Sequence, residues 1–145
     1  MTSARPVIVI GAGPTGLSLA IALGMRGIPV VVVDRYPEVY PLPRAVHLDD
    51  EVYRLLYVLG VGEAFAKVTR PTLGLQLLTP SHRLIARFER PPAGPGGLPQ
   101  ANMFDQPVLE AILRERAASL PSVTLYLGWC ADAPTQDAEG VRVRI

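Results

Sequence analysis

The feature that most constrains the fold is a glycine-rich hexapeptide between two short apolar runs. The hexapeptide is Gly-Ala-Gly-Pro-Thr-Gly at residues 11–16, and the first apolar run, at 6–10, precedes it. A helical pattern follows at 15–26, and the second apolar run lies at 29–33. Continuous β-branched runs of this length are typical of strands buried on both faces of a parallel sheet. With Gly27 as a helix stop, the pattern predicts a strand–helix–strand unit with a parallel strand pair.

Composition excludes several classes of protein. The chain has 145 residues, 49% hydrophobic and 19% charged, which is enough for a packed core. Its net charge of +1 excludes the basic surface of a nucleic-acid binder and a polybasic membrane patch. Glycines and Pro14 interrupt the apolar N-terminal stretch, so we expect no signal or membrane-spanning helix. The single cysteine, Cys130, excludes an internal disulfide framework and fits a reducing cytoplasm.

The rest of the chain predicts further helices and strands around this unit. Residues 35–46 are proline-rich and should be extended, and residues 91–99 should form a loop. Helices are predicted at 48–59, 63–68 and 106–120, and strands at 73–79, 83–89, 123–127 and 141–145. The predicted fold class is α/β, a Rossmann-like half-domain with added antiparallel strands. Because the chain stops inside a strand pattern, we expect residues 1–145 to be the N-terminal part of a longer protein.

Each glycine of the hexapeptide has a physical reason to be there. Gly11 permits the tight turn off the strand, Gly13 lets the backbone approach a diphosphate, and Gly16 lets the helix pack closely on the strand. Pro14 suits the helix start, where its missing N–H costs nothing. The free backbone N–H groups and the helix dipole are then expected to face the phosphates.

An acidic residue completes this pattern. Asp34 ends the second strand, 18 residues after Gly16, where a carboxylate accepts hydrogen bonds from a ribose diol. A carboxylate repels a 2′-phosphate, so NADP is disfavoured at this site and FAD or NAD are the candidates. The alternative, that the glycines only form a turn and Asp34 is a solvated strand-end acid, does not account for the whole pattern.

Three further motifs carry a resemblance to a known family. Val-Asp-Arg at 33–35, Pro-Arg-Ala at 43–45 and Gln-Pro-x-Leu-Glu at 106–110 join the glycine motif. Together they resemble the FAD-dependent aromatic hydroxylases, single-component flavoprotein monooxygenases like para-hydroxybenzoate hydroxylase. Residues 43–51 are most similar to the branch that hydroxylates phenols and 3-(3-hydroxyphenyl)propionate. The resemblance implies a FAD cofactor, NADH or NADPH as transient reductant, dioxygen and a small phenolic substrate.

The resemblance also implies cofactor-binding roles for particular residues, and no catalytic residue in this chain. It places Gly11, Gly13, Pro14, Thr15 and Gly16 at the FAD diphosphate. In the family a glutamate usually binds the adenosine ribose, and here the shorter Asp34 takes that place.

Three more residues receive roles in the same way. Arg35 would flank the adenine, Arg44 would reach the phosphate and ribityl region, and Gln106 would hydrogen-bond ribityl or diphosphate oxygens. Without the resemblance, Arg35 and Arg44 would be ordinary solvated arginines and Gln106 a helix-start residue.

Two family motifs are missing, and two alternative functions stay open. No Asp-Gly or Gly-Asp pair occurs anywhere in the chain, although the family uses both beside FAD. The substrate-binding part is therefore expected to be absent, which would leave apolar surface uncovered and the chain prone to self-association. The alternatives are another FAD oxidoreductase, such as a halogenase or an amine or epoxide-type flavoprotein, and a non-catalytic nucleotide-binding domain.

Other chemistry-bearing residues do not predict a site. Asp49, Asp50 and Glu51 suit the positive end of a helix rather than a metal ion, and His47 precedes that helix. Cys130 follows Trp129 in a strand-like stretch with no adjacent base, so we expect a small core or edge residue and not a nucleophile. We therefore predict no metal site.

Overall fold

The computed structural model describes residues 5–145, which form two compact units. One unit comprises the chain up to Leu42 together with Leu109–Ile145, and the other comprises Pro43–Val108. The first unit contains β1 (Val7–Ile10), α1 (Pro14–Gly24), β2 (Val30–Asp34), most of α4 (Gln106–Ala118), β8 (Val123–Leu127), β9 (Thr135–Asp137) and β10 (Gly140–Arg142). The second contains β3 (His47–Leu48), α2 (Asp50–Val58), α3 (Gly62–Ala66), β4 (Arg70–Pro71), β5 (Gly74–Leu78), β6 (Leu84–Glu89) and β7 (Asn102–Met103).

A three-stranded parallel sheet forms the centre of the first unit. Its order is β1-β2-β8, with Val9 opposite Val32 and Val32 opposite Leu125. Helix α1 contacts all three strands. The predicted strand–helix–strand unit and its parallel pair are therefore confirmed, and β8 extends the sheet on the far side of β2.

Strand β1 departs from one prediction. We expected it to be buried on both faces, but only Val9 is buried, while Val7, Ile8 and Ile10 are exposed, Ile10 to 57%. The prediction was wrong because β1 lies at the edge of this sheet among the described residues, so apolar composition alone did not guarantee cover on both faces. Strand β2, between two neighbours, has the buried side chains that the composition predicts.

The core of the first unit lies along α1, β2 and α4. Helix α1 begins with Pro14 in its first turn, as predicted, and Gly27 follows its end in the left-handed region at φ +72°. The side chains that are almost completely buried here are Leu17, Ala20, Ile21, Val30, Val32, Val33, Leu113 and Ala117. This core fixes α1 and β2, which are the elements on either side of the glycine-rich bend.

The C-terminal part of the first unit is a short hairpin. Strands β9 and β10 pair antiparallel, and β10 ends at Arg142, so the strand predicted at 141–145 is shorter than expected. Arg144 instead forms an ion pair with Asp132, and that guanidinium lowers the pKa of the Asp132 carboxyl. The added antiparallel strands that the sequence predicted are present here.

The second unit has a small antiparallel sheet and an aromatic core. Strand β7 lies between β3 and β4, three elements of two residues each that the sequence did not predict. Helix α2 begins after Asp49, whose carboxylate accepts a hydrogen bond from the Val52 N–H at 2.9 Å. The Tyr53 ring meets the Phe65 ring edge-on at 5.0 Å between centroids, and burial raises the pKa of Tyr53 above its ordinary value.

Strands β5 and β6 form a separate two-stranded hairpin with one apolar face. Leu75 lies opposite Phe88, and Leu77 lies opposite Ala86. The side chains of Leu75, Leu77 and Phe88 are exposed, Phe88 to 49%. Because neighbouring residues in a strand point to opposite faces, Gln76 and Arg87 lie on the other side. We call the surface formed by Leu75, Leu77, Ala86 and Phe88 the hairpin face.

Two further sequence expectations concern the position of Cys130 and the absence of a membrane-spanning helix. Cys130 is exposed and lies outside the strands, so the expected core or edge position is wrong. Gly128, at φ +81°, turns the chain directly after β8, so Cys130 lies beyond the strand. Across residues 5–145, no helix is long and apolar enough to cross a membrane.

Candidate dinucleotide site

The glycine-rich bend connects β1 to α1 in the first unit. Gly11 has φ +108°, a conformation that residues with a Cβ rarely adopt, so a glycine is needed where the chain leaves the strand. Its N–H donates to the Val33 carbonyl oxygen at 2.8 Å, which continues the pairing between β1 and β2 to the start of the bend. The tight turn predicted at Gly11 is confirmed.

Gly16 allows the first turn of α1 to lie against the bend. A Cβ at Gly16 would lie 2.0 Å from the Gly11 carbonyl oxygen and 3.2 Å from Val9 Cγ1. Both distances are shorter than van der Waals contact, and the nearer atom belongs to the backbone. The predicted close approach of helix and strand at Gly16 is confirmed.

Gly13 stands next to open space. A Cβ built on it would meet no heavy atom of residues 5–145 within 4 Å, and its φ of −78° is accessible to any residue. Packing within the protein therefore gives no reason for a glycine here. A reason does arise if a ligand lies against this backbone, which is the role the sequence analysis predicted.

Several N–H groups of the bend have no acceptor within the described chain. Those of Thr15 and Gly16 lie in the first turn of α1, where no helical carbonyl can reach them, and the Gly13 N–H also lacks a protein acceptor within residues 5–145. Three donors at a helix N-terminus suit an anionic group such as a diphosphate. We expected all the N–H groups of the bend to be free. For the first two this is wrong, because the N–H groups of Gly11 and Ala12 donate to Val33 and Asp34.

Asp34 connects the end of β2 to the bend. Its Oδ2 accepts a hydrogen bond from the Ala12 N–H at 2.6 Å, and its Oδ1 accepts one from the Tyr36 N–H at 2.8 Å. Ala12 is only 1% exposed, so the first contact gives a buried donor its acceptor. A carboxylate has about four acceptor sites, so capacity is left for the hydroxyl groups of a ribose.

Arg35, the predicted adenine neighbour, lies beside the Tyr36 ring, which itself contacts the Tyr40 ring. Its guanidinium carbon is 5.1 Å from the centroid of the Tyr36 ring, and that ring lies 5.2 Å from the Tyr40 ring. Neither tyrosine was predicted as a site residue. Their spacing in an irregular, proline-rich segment left no periodic pattern by which to find them.

Arg44 and Gln106 meet in the second unit. The Gln106 side chain is buried, with 5% of the residue exposed, and its Oε1 accepts hydrogen bonds from the Arg44 N–H at 2.9 Å and the Ala45 N–H at 2.8 Å. The Pro-Arg-Ala motif and the Gln-Pro-x-Leu-Glu motif are thus in direct contact, although these residues are 61 or more positions apart in the sequence. The FAD contacts predicted for Arg44 and Gln106 stay predictions.

The acidic residues around α2 have structural positions. Asp49 caps the helix, and Asp50 and Glu51 lie in its first turn. The described residues hold no group of three or more His, Cys, Asp or Glu side chains that could bind a metal ion.

A glycine bend after a parallel strand, with an acid at the end of the next strand, defines a dinucleotide-binding α/β protein. Residues 4–145 match the model of the FAD-binding domain family, and this chain belongs to that family. The α/β fold class with its FAD-binding strand–helix–strand unit, and the resemblance to FAD-dependent aromatic hydroxylases, are confirmed.

Curated relatives carry the names of phenol-type hydroxylases. The chain is 37% identical over 139 residues to a probable NADH-specific resorcinol 4-hydroxylase of Rhodococcus jostii, covering 95% of this chain and 26% of the relative. It is 32% identical over 142 residues to a 3-(3-hydroxy-phenyl)propionate/3-hydroxycinnamic acid hydroxylase of Paraburkholderia xenovorans, covering 98% of this chain and 23% of the relative. The chain therefore spans about a quarter of the length of these relatives.

A solved structure shows the same architecture. The flavin-dependent monooxygenase PieE, determined in complex with FAD and substrate, superposes with a TM-score of 0.78 at 26% sequence identity. The match covers 95% of this chain and 26% of the PieE chain.

The residues of the first unit fit the phosphate and ribose parts of FAD. The open space at Gly13 and the three N–H donors beside it suit a diphosphate, and Asp34 retains acceptor capacity for a ribose. The second unit supplies a buried polar contact between the motifs of Arg44 and Gln106.

Proposed function

We propose that this chain binds FAD through the glycine bend and Asp34. The diphosphate would accept hydrogen bonds from the N–H groups of Gly13, Thr15 and Gly16, and the adenosine ribose would donate to Asp34. The observation that carries the proposal is the space at Gly13, where no contact among the described residues requires a glycine. Arg35 would flank the adenine, and Pro14 would start the helix without losing a needed donor.

We propose that the whole protein is a monooxygenase that hydroxylates a phenolic substrate with dioxygen. The names of the relatives, a resorcinol hydroxylase and a hydroxyphenylpropionate hydroxylase, support this substrate class. FAD would supply the redox chemistry, with NADH or NADPH as the reductant. Residues 1–145 would form the N-terminal part of its FAD-binding domain, with the substrate domain elsewhere in the protein. The single, exposed thiol of Cys130 supports a location in the reducing cytoplasm.

The nucleotide proposal can be tested by comparing ligands that share parts of FAD. FAD and ADP-ribose should compete for one site in calorimetric titrations, because both carry the diphosphate and the adenosine ribose. FMN carries neither, and we expect it to bind at least about tenfold more weakly. Asp34→Asn should weaken FAD binding by about tenfold, since the ribose loses a charged acceptor.

A matched control separates a local effect from a general loss of charge. Glu38→Gln removes the same charge from the loop that follows β2 and should leave FAD affinity unchanged. Equal affinity for FMN and FAD, or no binding of FAD and ADP-ribose, would contradict the proposed site. Thermal melting of each variant shows whether it is folded.

We also propose that the chain associates with itself through the hairpin face. A two-stranded hairpin is seldom stable with its apolar side in water, and Leu75, Leu77 and Phe88 are all exposed. Light scattering of the purified chain should show dimers or larger species. Leu75→Lys should shift the chain toward monomer, whereas Gln76→Lys, which adds the same charge to the opposite side, should not. A monodisperse monomer before any substitution would refute this proposal.

A further inference from the structure

One peptide group of the glycine bend is held at both of its polar atoms. The carbonyl oxygen of Gly11 and the N–H of Ala12 belong to the same planar unit. The oxygen lies against Gly16, where a Cβ would come within 2.0 Å of it, and the N–H donates to Asp34 Oδ2 at 2.6 Å. Ala12 is only 1% exposed, so this peptide group is packed inside the first unit. Its orientation therefore depends on the Asp34 carboxylate as well as on the packing of α1.

The carboxylate that accepts from Ala12 is itself fixed. Its second oxygen, Oδ1, accepts from the Tyr36 N–H at 2.8 Å, and the Asp34 backbone belongs to β2, which pairs with a strand on each side. Gly11 is also attached to β2, because its N–H donates to the Val33 carbonyl oxygen. The bend should therefore form without the Asp34 side chain, and what that side chain adds is the orientation of the Ala12 N–H.

The orientation of this peptide group affects the first of the proposed phosphate donors. Only the two backbone dihedral angles of Ala12 separate its N–H from the N–H of Gly13, which has no protein acceptor within residues 5–145. Gly13 also lacks a Cβ that would restrict its own backbone. A donor that is oriented in advance avoids the entropy loss of being ordered when the ligand binds. The bond from Ala12 to Asp34 supplies this order to the neighbouring Gly13.

We propose that Asp34 is a positioning residue for the diphosphate as well as a ligand of the ribose: its Oδ2 fixes the Ala12 peptide group and so orients the Gly13 N–H for the phosphate oxygens. This inference rests on the proposed function, because it takes the glycine bend as the diphosphate site. The two roles predict opposite signs for a diphosphate that offers no ribose hydroxyl. The charge of Asp34 repels such a ligand, so removal of a pure ribose ligand would leave its binding unchanged or stronger. Removal of a positioning residue weakens it.

Two ligands separate the roles of Asp34. ADP carries the diphosphate and the ribose hydroxyls, whereas 2′,3′-dideoxy-ADP carries the same diphosphate without them. Asp34→Leu removes both carboxylate oxygens and keeps a side chain of similar size. Its affinity for 2′,3′-dideoxy-ADP, measured by NMR titration, should fall about tenfold, and its affinity for ADP should fall further because the ribose contact is lost as well. An unchanged or higher affinity for 2′,3′-dideoxy-ADP would overturn the inference.

A second readout needs no ligand, and a matched control accompanies it. Hydrogen exchange of the Ala12 amide should accelerate at least about tenfold in Asp34→Leu. Ser122→Ala removes a different side-chain bond to α1, from Ser122 Oγ to the Gly24 carbonyl oxygen at 2.8 Å, at the other end of the helix. It should alter neither Ala12 exchange nor nucleotide affinity. Equal effects of the two variants would show a general loosening of the first unit and overturn the inference.

The inference stays testable if Asp34→Leu does not fold. Asp34→Ala removes both oxygens without placing a larger apolar group beside the bend, and it should behave like Asp34→Leu. In the unaltered chain, an Ala12 amide that exchanges as fast as unstructured peptide would overturn the inference without any substitution. If the unaltered chain binds neither ADP nor FAD, both the proposed function and the inference fail. If it binds them and neither variant weakens the binding of 2′,3′-dideoxy-ADP, the inference alone fails.

Discussion

Replacing Gly16 by alanine is expected to destabilise the chain by about 3 kcal/mol or more, since the added Cβ would overlap a backbone atom. That Cβ would lie 2.0 Å from the Gly11 carbonyl oxygen, which belongs to a bend already fixed by pairing to Val33. The bend cannot move away without loss of its hydrogen bond to Val33, and the helix cannot move away without loss of its packing on β1, β2 and β8. Urea denaturation followed by circular dichroism measures the loss.

A glycine elsewhere in the chain serves as the control. A Cβ on Gly96 would meet nothing within 4 Å, and its φ lies outside the left-handed region. Gly96→Ala should therefore change the free energy of unfolding by less than about 0.5 kcal/mol. If Gly16→Ala is as stable as Gly96→Ala, the close approach of helix and bend described here is incorrect.

Gly13→Ala is expected to have the opposite profile, with stability retained and FAD affinity lost. Space and backbone conformation at Gly13 both accept a Cβ, so the free energy of unfolding should change by less than about 0.5 kcal/mol. The methyl group would occupy the surface along which the diphosphate approaches the backbone. We expect affinity for FAD to fall about a hundredfold, or about 3 kcal/mol, measured by calorimetric titration.

The two glycines therefore separate the two functions of one motif. Gly16 serves the protein's own packing, and Gly13 serves a ligand. Wild-type affinity for FAD in Gly13→Ala would mean that the diphosphate does not lie against this part of the bend. Gly96→Ala is again the control, and its affinity for FAD should match that of the unaltered chain.

The elements that the sequence predicted well are those set by local chemistry. The apolar runs, the glycine bend and the capping residue Asp49 each act within a few residues, and the structure contains β1, α1, β2 and α2 close to the expected bounds. Strand β8 matches its predicted bounds. Strands β3, β4 and β7 have two residues each, which is too few to produce an alternating pattern.

What the sequence could not show depends on contacts between distant residues. The exposure of β1 follows from its position in the sheet and not from its composition, which resembles that of the buried β2. Asp34 was predicted from its spacing, but its contact with the Ala12 N–H spans 22 residues and becomes visible only in three dimensions. The contact of Gln106 with Arg44 spans 62 residues, and no periodicity connects them.

The edge position of β1 has a consequence for the affinity of the neighbouring bend. This strand carries the glycine bend at its C-terminal end, and among the described residues it is paired on one side only, by β2. A strand paired on one side is restrained less than a strand paired on both, so ligand binding must bear more of the entropy of ordering the donors at its end. Any polypeptide that pairs with the open side of β1 would reduce that entropy loss and tighten nucleotide binding from a distance, without touching the nucleotide.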